Sequence, residues 1–146
     1  MPRLLLILDD DRARLRGFDE IVPHLGKDWE IKVWRDAPTM ISEVDLLLSR
    51  AHLISLDHDL YKDSEPDPDP GSGRVIANHL SKRDPMCPVI VHSTNTDAAW
   101  GMFNELTSAG WRVELVHHLN QPAWIEEMWL PIARRLLLAG RRSDDS

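Results

Sequence analysis

An α/β fold with a parallel sheet is predicted by two apolar patterns that alternate along the 146 residues. Short apolar runs are typical of buried strands, and segments in which apolar residues recur every three or four positions are typical of amphipathic helices. Five strand-like runs occur, the second with alternating apolar and polar residues: RLLLILDDD (3–11), WEIKVWRD (29–36), HLISLDHDL (52–60), CPVIVHST (87–94) and WRVELVHHL (111–119). A helical segment follows each run, so the chain predicts five successive strand–helix units.

The first three helices are identified by their apolar spacing and by signals at their ends. The first is predicted from Arg12 to about Leu25. The second opens at Pro38, because proline is favoured in the first turn of a helix. The third is predicted from about Arg74 to Lys82.

The last two helices follow the fourth and fifth strands. The spacing predicts a helix over 96–109, with Trp100, Phe103 and Leu106 facing the core. It predicts a final helix over 122–139, interrupted at Pro131 because proline removes a backbone donor inside a helix. Most of the six tryptophans are expected in the core.

The order of these units predicts the topology of the sheet. Parallel strands joined by right-handed crossovers carry helices on both faces. The expected architecture is a flavodoxin-like three-layer α/β/α sandwich with a five-stranded parallel sheet in the order 2-1-3-4-5. We expect one domain over residues 1–140 and a flexible tail over residues 141–146.

Composition excludes several classes of function. The net charge of −7 argues against binding of long nucleic acid, which depends on many contacts between basic side chains and phosphates. The single cysteine, Cys87, excludes a disulfide framework and fits a reducing cytoplasm. No apolar run approaches the length of a membrane helix, so no membrane association is expected.

Polar side chains gather where each predicted strand ends. The residues at these ends are Asp9, Asp10 and Asp11; Asp36; Asp57, His58 and Asp59; His92, Ser93 and Asn95; and His117 and His118. Ligands of such sheets bind at the carboxyl ends of the strands, beside the point where strand order reverses. Carboxylates this close repel one another unless a cation or a proton is shared, so Asp9, Asp10 and Asp57 are candidate ligands of Mg²⁺ or another divalent cation.

This arrangement resembles the receiver domain of response regulators. An acidic pair follows strand one, an Asp (Asp57) ends strand three and a Ser (Ser93) ends strand four. The resemblance implies Mg²⁺ at the carboxylates, with Asp57 in the phosphoacceptor position, and it allows a homodimer through helix four and strand five. The sequence departs from receivers at strand five, where VHHLNQP offers His117 and His118 in place of a Lys.

A narrower resemblance rests on LDHDL, on Gly73 at the start of helix three, on VHSTN and on Met102. These features are similar to the receiver-like family proposed to process cyclic phosphates. That resemblance implies action on a small phosphorylated ligand, either a cyclic nucleotide or a 2′,3′-cyclic phosphate end. Thr96 is a mild departure, since family members often have Pro there.

The chemistry of such a reaction assigns roles to the rim residues. Opening a cyclic phosphodiester needs one group to deprotonate water and another to protonate the leaving oxygen, and His58 and His92 could divide these roles. Asp57 or Asp59 would orient His58. Candidate contacts to the phosphoryl oxygens are Ser93, Asn95, Gly73, Arg74, His117 and His118.

Two alternatives to a hydrolase remain open at the level of sequence. One is a degenerate receiver that binds a partner or small ligand without turnover, and the other is an Mg²⁺-dependent receiver phosphorylated on Asp57. The acidic and proline-rich segment 61–73 is expected to form a mobile flap beside the site. His24, His52 and His79 are expected to be structural, and Cys87 has no activating partner in the sequence.

Overall fold

A five-stranded parallel sheet forms the centre of the molecule. The computed structural model describes residues 2–61, 67–118 and 123–144, with side chains as far as Ala139. Within these residues the strands are β1 (Arg3–Leu8), β2 (Trp29–Trp34), β3 (Ala51–Leu56), β4 (Val89–His92) and β5 (Val113–Val116). Neighbouring strands pair in parallel in the order β2-β1-β3-β4-β5. The predicted sheet order is confirmed.

Helices cover both faces of this sheet. They are α1 (Arg12–Ile21), α2 (Ala37–Val44), α3 (Gly73–Ser81), α4 (Thr96–Ser108) and α5 (Leu130–Asp144). Alternation along β1 sends Leu4, Leu6 and Leu8 to the core under α2, α3 and α4, and Leu5 and Ile7 to the core under α1 and α5. In the part of the chain that the structure describes, no helix is long and apolar enough to cross a membrane.

Proline changes the ends of the first and last helices. α1 stops at Ile21, and residues 22–25 form a 3₁₀ turn instead of the predicted helical continuation. Pro23 lacks the N–H that would extend the α-helical ladder at this point. Before α5, residues 125–129 form a wide π-helical turn, so the predicted interruption lies just before Pro131. α5 itself continues to Asp144, into the segment 141–146 predicted as a tail.

The inner face of α4 differs from the prediction. Leu106 is buried as predicted and Phe103 packs against the core, but Trp100 is 47% exposed and contacts Phe103 edge-on. The buried face consists of Ala99, Met102 and Leu106. Both sets of residues have helical spacing, and the set that contains the small Ala99 faces the sheet and α3. The expectation that Trp100 lies in the core is therefore wrong, while Trp34, Trp111, Trp124 and Trp129 are buried as expected.

The segment between β3 and α3 returns to the carboxyl edge of the sheet. Asp59 and Ser72 form an isolated antiparallel bridge, and the Gly73 N–H donates to the His58 carbonyl at 2.9 Å. Residues 62–66 lie outside the described residues, so the flap remains a prediction. The two described ends of the segment are held together next to Asp57.

Gly73 allows α3 to begin directly beside β3. A Cβ atom at this position would overlap the carbonyl oxygen of Asp57 and would lie 2.8 Å from Met102 Cε. The backbone that carries Asp57 therefore requires glycine at residue 73.

We predict that Gly73→Ala lowers the free energy of unfolding by about 3 kcal/mol, because the new methyl group meets a backbone atom that cannot move aside. Gly101→Ala in α4 is the matched control, since its Cβ would meet only the flexible end of Arg74. Removing a helical glycine there should leave stability unchanged or raise it by up to about 1 kcal/mol. Urea denaturation of both variants tests this, and equal losses of stability would contradict it.

Candidate active site at the carboxyl edge of the sheet

Two carboxylates on adjacent strands form the base of the site. Asp9 follows β1 and is fully buried, and Asp57 follows β3 and is 4% exposed. Their backbones continue the sheet, since Asp9 N–H donates to Trp34 O at 3.1 Å and Asp57 N–H donates to Leu8 O at 2.9 Å. The sheet therefore holds both side chains at the point where strand order reverses, as the sequence predicts.

Arg14 of α1 joins these two carboxylates. Its Nε lies 2.9 Å from Asp9 Oδ2, and its Nη2 lies 3.1 Å from Asp9 Oδ1 and 2.9 Å from Asp57 Oδ2. Asp11 caps α1 by accepting from the Arg14 N–H at 2.9 Å, so the helix begins at the rim. Because helical side chains lean toward the N-terminus of their helix, Arg14 reaches back to Asp9. Sequence reasoning missed this residue, although its place in the first turn after DDD was a usable signal.

The two carboxyl groups differ in their affinity for protons. Burial alone would raise the pKa of Asp9, but hydrogen bonds from His92 and Arg14 outweigh it and lower the pKa to about 2. Burial raises the pKa of Asp57 to about 6, and the negative charge of Asp9 adds to this effect. Asp9 is therefore a fixed anion, whereas Asp57 exchanges a proton close to neutral pH.

His92 lies beneath the rim and is fully buried. Its Nε2 is 2.9 Å from Asp9 Oδ2 and its Nδ1 is 2.6 Å from Ser55 Oγ. Trp129 Nε1 also donates to Ser55 Oγ, at 3.0 Å. Ionised Asp9 can only accept, so Nε2 carries a proton, and the Ser55 hydroxyl, with one proton and two lone pairs, pairs with Nδ1 while it accepts the Trp129 N–H.

This network corrects the expectation that His92 shares the acid and base roles with His58. Both ring nitrogens of His92 are engaged, and Phe18 and Trp124 pack against the ring at centroid distances of 5.3 and 5.8 Å. The ring holds Asp9 in place, so His92 acts through that carboxylate.

His58 occupies the mouth of the site. Its Nδ1 lies 2.7 Å from Asp59 Oδ1, and its side chain is 21% exposed. Its backbone N–H donates to Asp57 Oδ1 at 2.8 Å, which ties this segment to the buried carboxylate. Of the two predicted orienting residues, Asp59 is the one that contacts the ring. An Nδ1–carboxylate contact leaves Nε2 as the nitrogen that can exchange a proton with a ligand.

Ser93 and Asn95 shape the start of α4. Ser93 is buried, and its Oγ accepts the Asn95 N–H at 3.0 Å. Asn95 caps α4, with its Oδ1 accepting the Ala98 N–H at 3.2 Å. Arg74 is half-exposed, and its guanidinium lies 3.5 Å from Glu105 Oε1 on α4. Its side chain is therefore engaged with α4 rather than with the buried carboxylates.

The two histidines after β5 have different surroundings. His117 is exposed, with its ring 6.5 Å from that of Trp100. His118 is 1% exposed and stacks on Trp124 at a centroid distance of 3.9 Å. Among the described residues neither ring nitrogen of His118 has a hydrogen-bond partner. Burial, with a smaller contribution from the positive charge of Arg14, lowers the pKa of His118 to about 4, so the ring is neutral at pH 7.

Asp9, Asp10 and Asp57 offer the oxygen ligands that a divalent cation prefers, but these oxygens already have other partners. Oxygens of Asp9, Asp10 and Asp57 lie within 4.8 Å of one another, which suits a hard ion. However, the Asp10 Oδ2 accepts the Tyr61 N–H at 2.7 Å. Both oxygens of Asp9 and one oxygen of Asp57 accept from Arg14. A metal between Asp9 and Asp57 would have to displace the guanidinium.

Comparison with known proteins identifies the class. The family model for the cyclic-phosphate processing receiver domain matches residues 4–108, and the chain belongs to this family. No curated protein sequence is similar enough to count as a match.

Similar solved structures are response-regulator receivers. The phosphorylated cyanobacterial phytochrome response regulator RcpA is 17% identical, with a TM-score of 0.72 over 95% of this chain and 96% of that chain. A receiver domain from Rhodospirillum rubrum is 18% identical, with a TM-score of 0.65 over 94% and 93%. The CheX–CheY–BeF3–Mg²⁺ complex from Borrelia burgdorferi is 13% identical, with a TM-score of 0.64 over 90% of each chain. At these identities the likeness establishes the fold.

We predict that ionisation of Asp57 destabilises the protein at neutral pH. The pKa of Asp57 is raised in the folded state. The protonated side chain therefore contributes its full stabilisation below the unfolded pKa of 3.8, and this stabilisation is lost as pH rises through about 6. Relative to Asp57→Asn, the wild type should gain about 1 kcal/mol of unfolding free energy between about pH 8 and about pH 5. Denaturation at both values measures this. Asp19→Asn, at an exposed position of α1, should follow the wild type. A wild-type profile parallel to that of Asp57→Asn would refute the assignment.

We predict that Ser55→Ala lowers the free energy of unfolding by about 1–3 kcal/mol, because Trp129 Nε1 and His92 Nδ1 both lose a buried partner. Ser42→Ala removes only an exposed hydroxyl that donates to Thr39 O, and it should change stability by less than about 0.5 kcal/mol. Thermal or urea denaturation distinguishes the two, and a neutral Ser55→Ala would contradict the network.

Proposed function

We propose that this chain is a phosphoesterase that hydrolyses a cyclic phosphate, either a cyclic nucleotide or a 2′,3′-cyclic phosphate end. The observation that carries the proposal is the His58–Asp59 pair at the mouth of the site, beside Asp57, in a member of the cyclic-phosphate processing family. A carboxylate on Nδ1 fixes the orientation and tautomer of the imidazole, as it does in hydrolytic triads.

The proposed reaction transfers two protons. Water attacks phosphorus, one bond between phosphorus and a sugar oxygen breaks, and the product is a phosphomonoester with a free hydroxyl. One group removes a proton from the water and a second returns a proton to the leaving oxygen. We assign these roles to His58 and Asp57. His58 has one ring nitrogen free of Asp59, and the pKa of Asp57 is raised to about 6.

His92 has a positioning role in this proposal. Its contact with Asp9 and the contact of Asp9 with Arg14 keep the base of the site rigid. This replaces the acid or base role that the sequence suggested for His92.

The start of α3 is the proposed cradle for phosphoryl oxygens. Ser72 precedes this helix without a side-chain cap. The Gly73 N–H donates to the His58 carbonyl and the Val75 N–H to the Ser72 carbonyl, so we assign the contact with the anion to the Arg74 N–H. Helix N-termini favour anions because their first N–H groups lack intrahelical partners. Ser93 adds a buried hydroxyl at the end of the neighbouring strand β4. The net charge of −7 favours a small ligand over a long nucleic acid.

A receiver without turnover is the second candidate, favoured by the buried position of Asp57 after β3 and by the fold shared with phosphorylated RcpA. The residues after β5, His117 and His118, count against phosphorylation-driven signalling, because receivers carry a Lys there. Beryllofluoride binding that requires Mg²⁺ and is lost in Asp57→Asn would favour the receiver over the hydrolase.

We predict that the wild type hydrolyses 2′,3′-cyclic mononucleotides or cyclic dinucleotides and that His58→Gln slows this by about 10²–10⁴-fold, through loss of acid–base catalysis. Asp59→Asn should slow it by about tenfold or more, because the imidazole loses its orienting carboxylate. ³¹P NMR follows the conversion of cyclic phosphate to phosphomonoester.

The matched control is His79→Gln. His79 contacts Asp45 at 3.0 Å on the outer side of α3, so this variant should keep the wild-type rate. The hydrolase proposal fails if no substrate of either class is turned over, or if His58→Gln is as active as the wild type.

A further inference from the structure

We propose that Arg14 is the built-in cation of this site: its guanidinium takes the position of a divalent ion between Asp9 and Asp57 and binds the phosphoryl group of the ligand. The choice of a phosphate ester as ligand rests on the proposed function. The replacement of the metal does not, because it follows from the contacts of the carboxylates alone.

The contacts of Asp9 leave no room for a metal beside Arg14. Asp9 Oδ1 accepts from Arg14 Nη2 at 3.1 Å and from the Asp11 N–H at 2.9 Å. Asp9 Oδ2 accepts from Arg14 Nε and from His92 Nε2, each at 2.9 Å. A carboxylate oxygen has about two lone-pair sites, so both oxygens are saturated.

The contacts of Asp57 extend this arrangement across the site. Its Oδ2 accepts from Arg14 Nη2 at 2.9 Å and its Oδ1 accepts from the His58 N–H at 2.8 Å. The guanidinium therefore spans the two strands whose carboxylates would otherwise share a metal. A planar cation with several donors neutralises two carboxylates at once, which is the task that a divalent ion performs in an acidic pocket.

Arg14 also retains donors for a ligand. A guanidinium has five N–H groups, of which Nε supplies one and Nη2 two. The contacts above use Nε and Nη2, and Nη1 has no acceptor among residues 2–61, 67–118 and 123–144. The side chain is 19% exposed, so one part of the group reaches the surface of the site. Two N–H groups of an anchored guanidinium match the oxygens of a phosphoryl group.

Arg74, the basic residue that the sequence indicated for this role, has a different partner. Its Nε lies 3.5 Å from Glu105 Oε1, and the residue sits against Gly101 of α4. Arg14 is thus the guanidinium that contacts the buried carboxylates.

Mn²⁺ binding, followed by electron paramagnetic resonance, tests the replacement of the metal without any need for turnover. The wild type should bind Mn²⁺ weakly at this site. Arg14→Gln should bind it at least about tenfold more tightly, because the carboxylates lose their internal cation. Arg16→Gln is the matched control: it changes the net charge equally, on an exposed position of α1, and should behave as the wild type.

Binding of inorganic phosphate and of a 2′,3′-cyclic mononucleotide, measured by calorimetry, tests the second role of Arg14. Arg14→Gln should weaken both ligands by about tenfold or more, through loss of charge-assisted hydrogen bonds, whereas Arg16→Gln should change either by less than about twofold. Calorimetry measures the affinity for inorganic phosphate even if the protein hydrolyses no cyclic phosphate. A failed hydrolase assay is therefore distinguishable from a failed role of Arg14.

Three results would overturn the proposal: tight stoichiometric Mn²⁺ binding by the wild type, an Arg14→Gln variant that gains no Mn²⁺ affinity, or equal phosphate affinity in Arg14→Gln and Arg16→Gln. If Arg14→Gln does not fold, Arg14→Lys decides. Lysine keeps the positive charge but lacks the planar guanidinium with its paired N–H donors. Arg14→Lys should therefore still exclude Mn²⁺ and should bind phosphate more weakly than the wild type. Tight Mn²⁺ binding or unchanged phosphate affinity in Arg14→Lys would refute the proposal.

Discussion

The contact of Arg14 with Asp9 and Asp57 is the interaction on which the rest of the site depends. Two carboxylates follow adjacent strands at the carboxyl edge of the sheet, and both are almost entirely removed from water. Burial of two like charges side by side is unfavourable unless a cation and hydrogen bonds compensate for the lost solvation. The guanidinium supplies the cation, and His92, Asp11 and the His58 backbone supply the remaining donors. The first turn of α1 is therefore as much a part of the site as the strand ends.

This interaction separates the site into two layers. In the lower layer, Trp129, Ser55, His92 and Asp9 form a hydrogen-bonded chain that runs from the core to the guanidinium. Each member has its partners, so the layer is suited to holding the carboxylates rigidly. In the upper layer, His58 and Asp59 are partly exposed and can meet a ligand. Structural support and proton transfer are assigned to different histidines, which is why His58 and His92 are not equivalent.

The fold is shared with signalling receivers, yet a fold alone does not determine chemistry. The solved receivers are less than 20% identical to this chain, although they superpose over nearly its whole length. At the strand ends of this chain, His58 follows Asp57, and His117 and His118 follow β5. His118, neutral and stacked on Trp124, places an aromatic wall beside the carboxylates. These residues are the basis on which we propose a phosphoester site in place of a phosphoacceptor site.

The sequence by itself determined the sheet order and most of the rim. Alternating apolar patterns identify five strands and their helices, and right-handed crossovers then bring Asp9, Asp57 and His92 to one edge. Tertiary structure decided which side chains line the mouth of the site and which are buried beneath it. Arg14 joins the site because its helix starts at Asp11 and leans its side chain back over β1, and His92 leaves the surface because Phe18 and Trp124 cover it. Helical spacing is likewise compatible with either Trp100 or Ala99 on the buried face of α4, and it is Ala99 that packs against the core. Local sequence patterns show the spacing of apolar residues and so the type of each element. How deeply a side chain is buried and where it points depend on contacts between residues far apart in the chain.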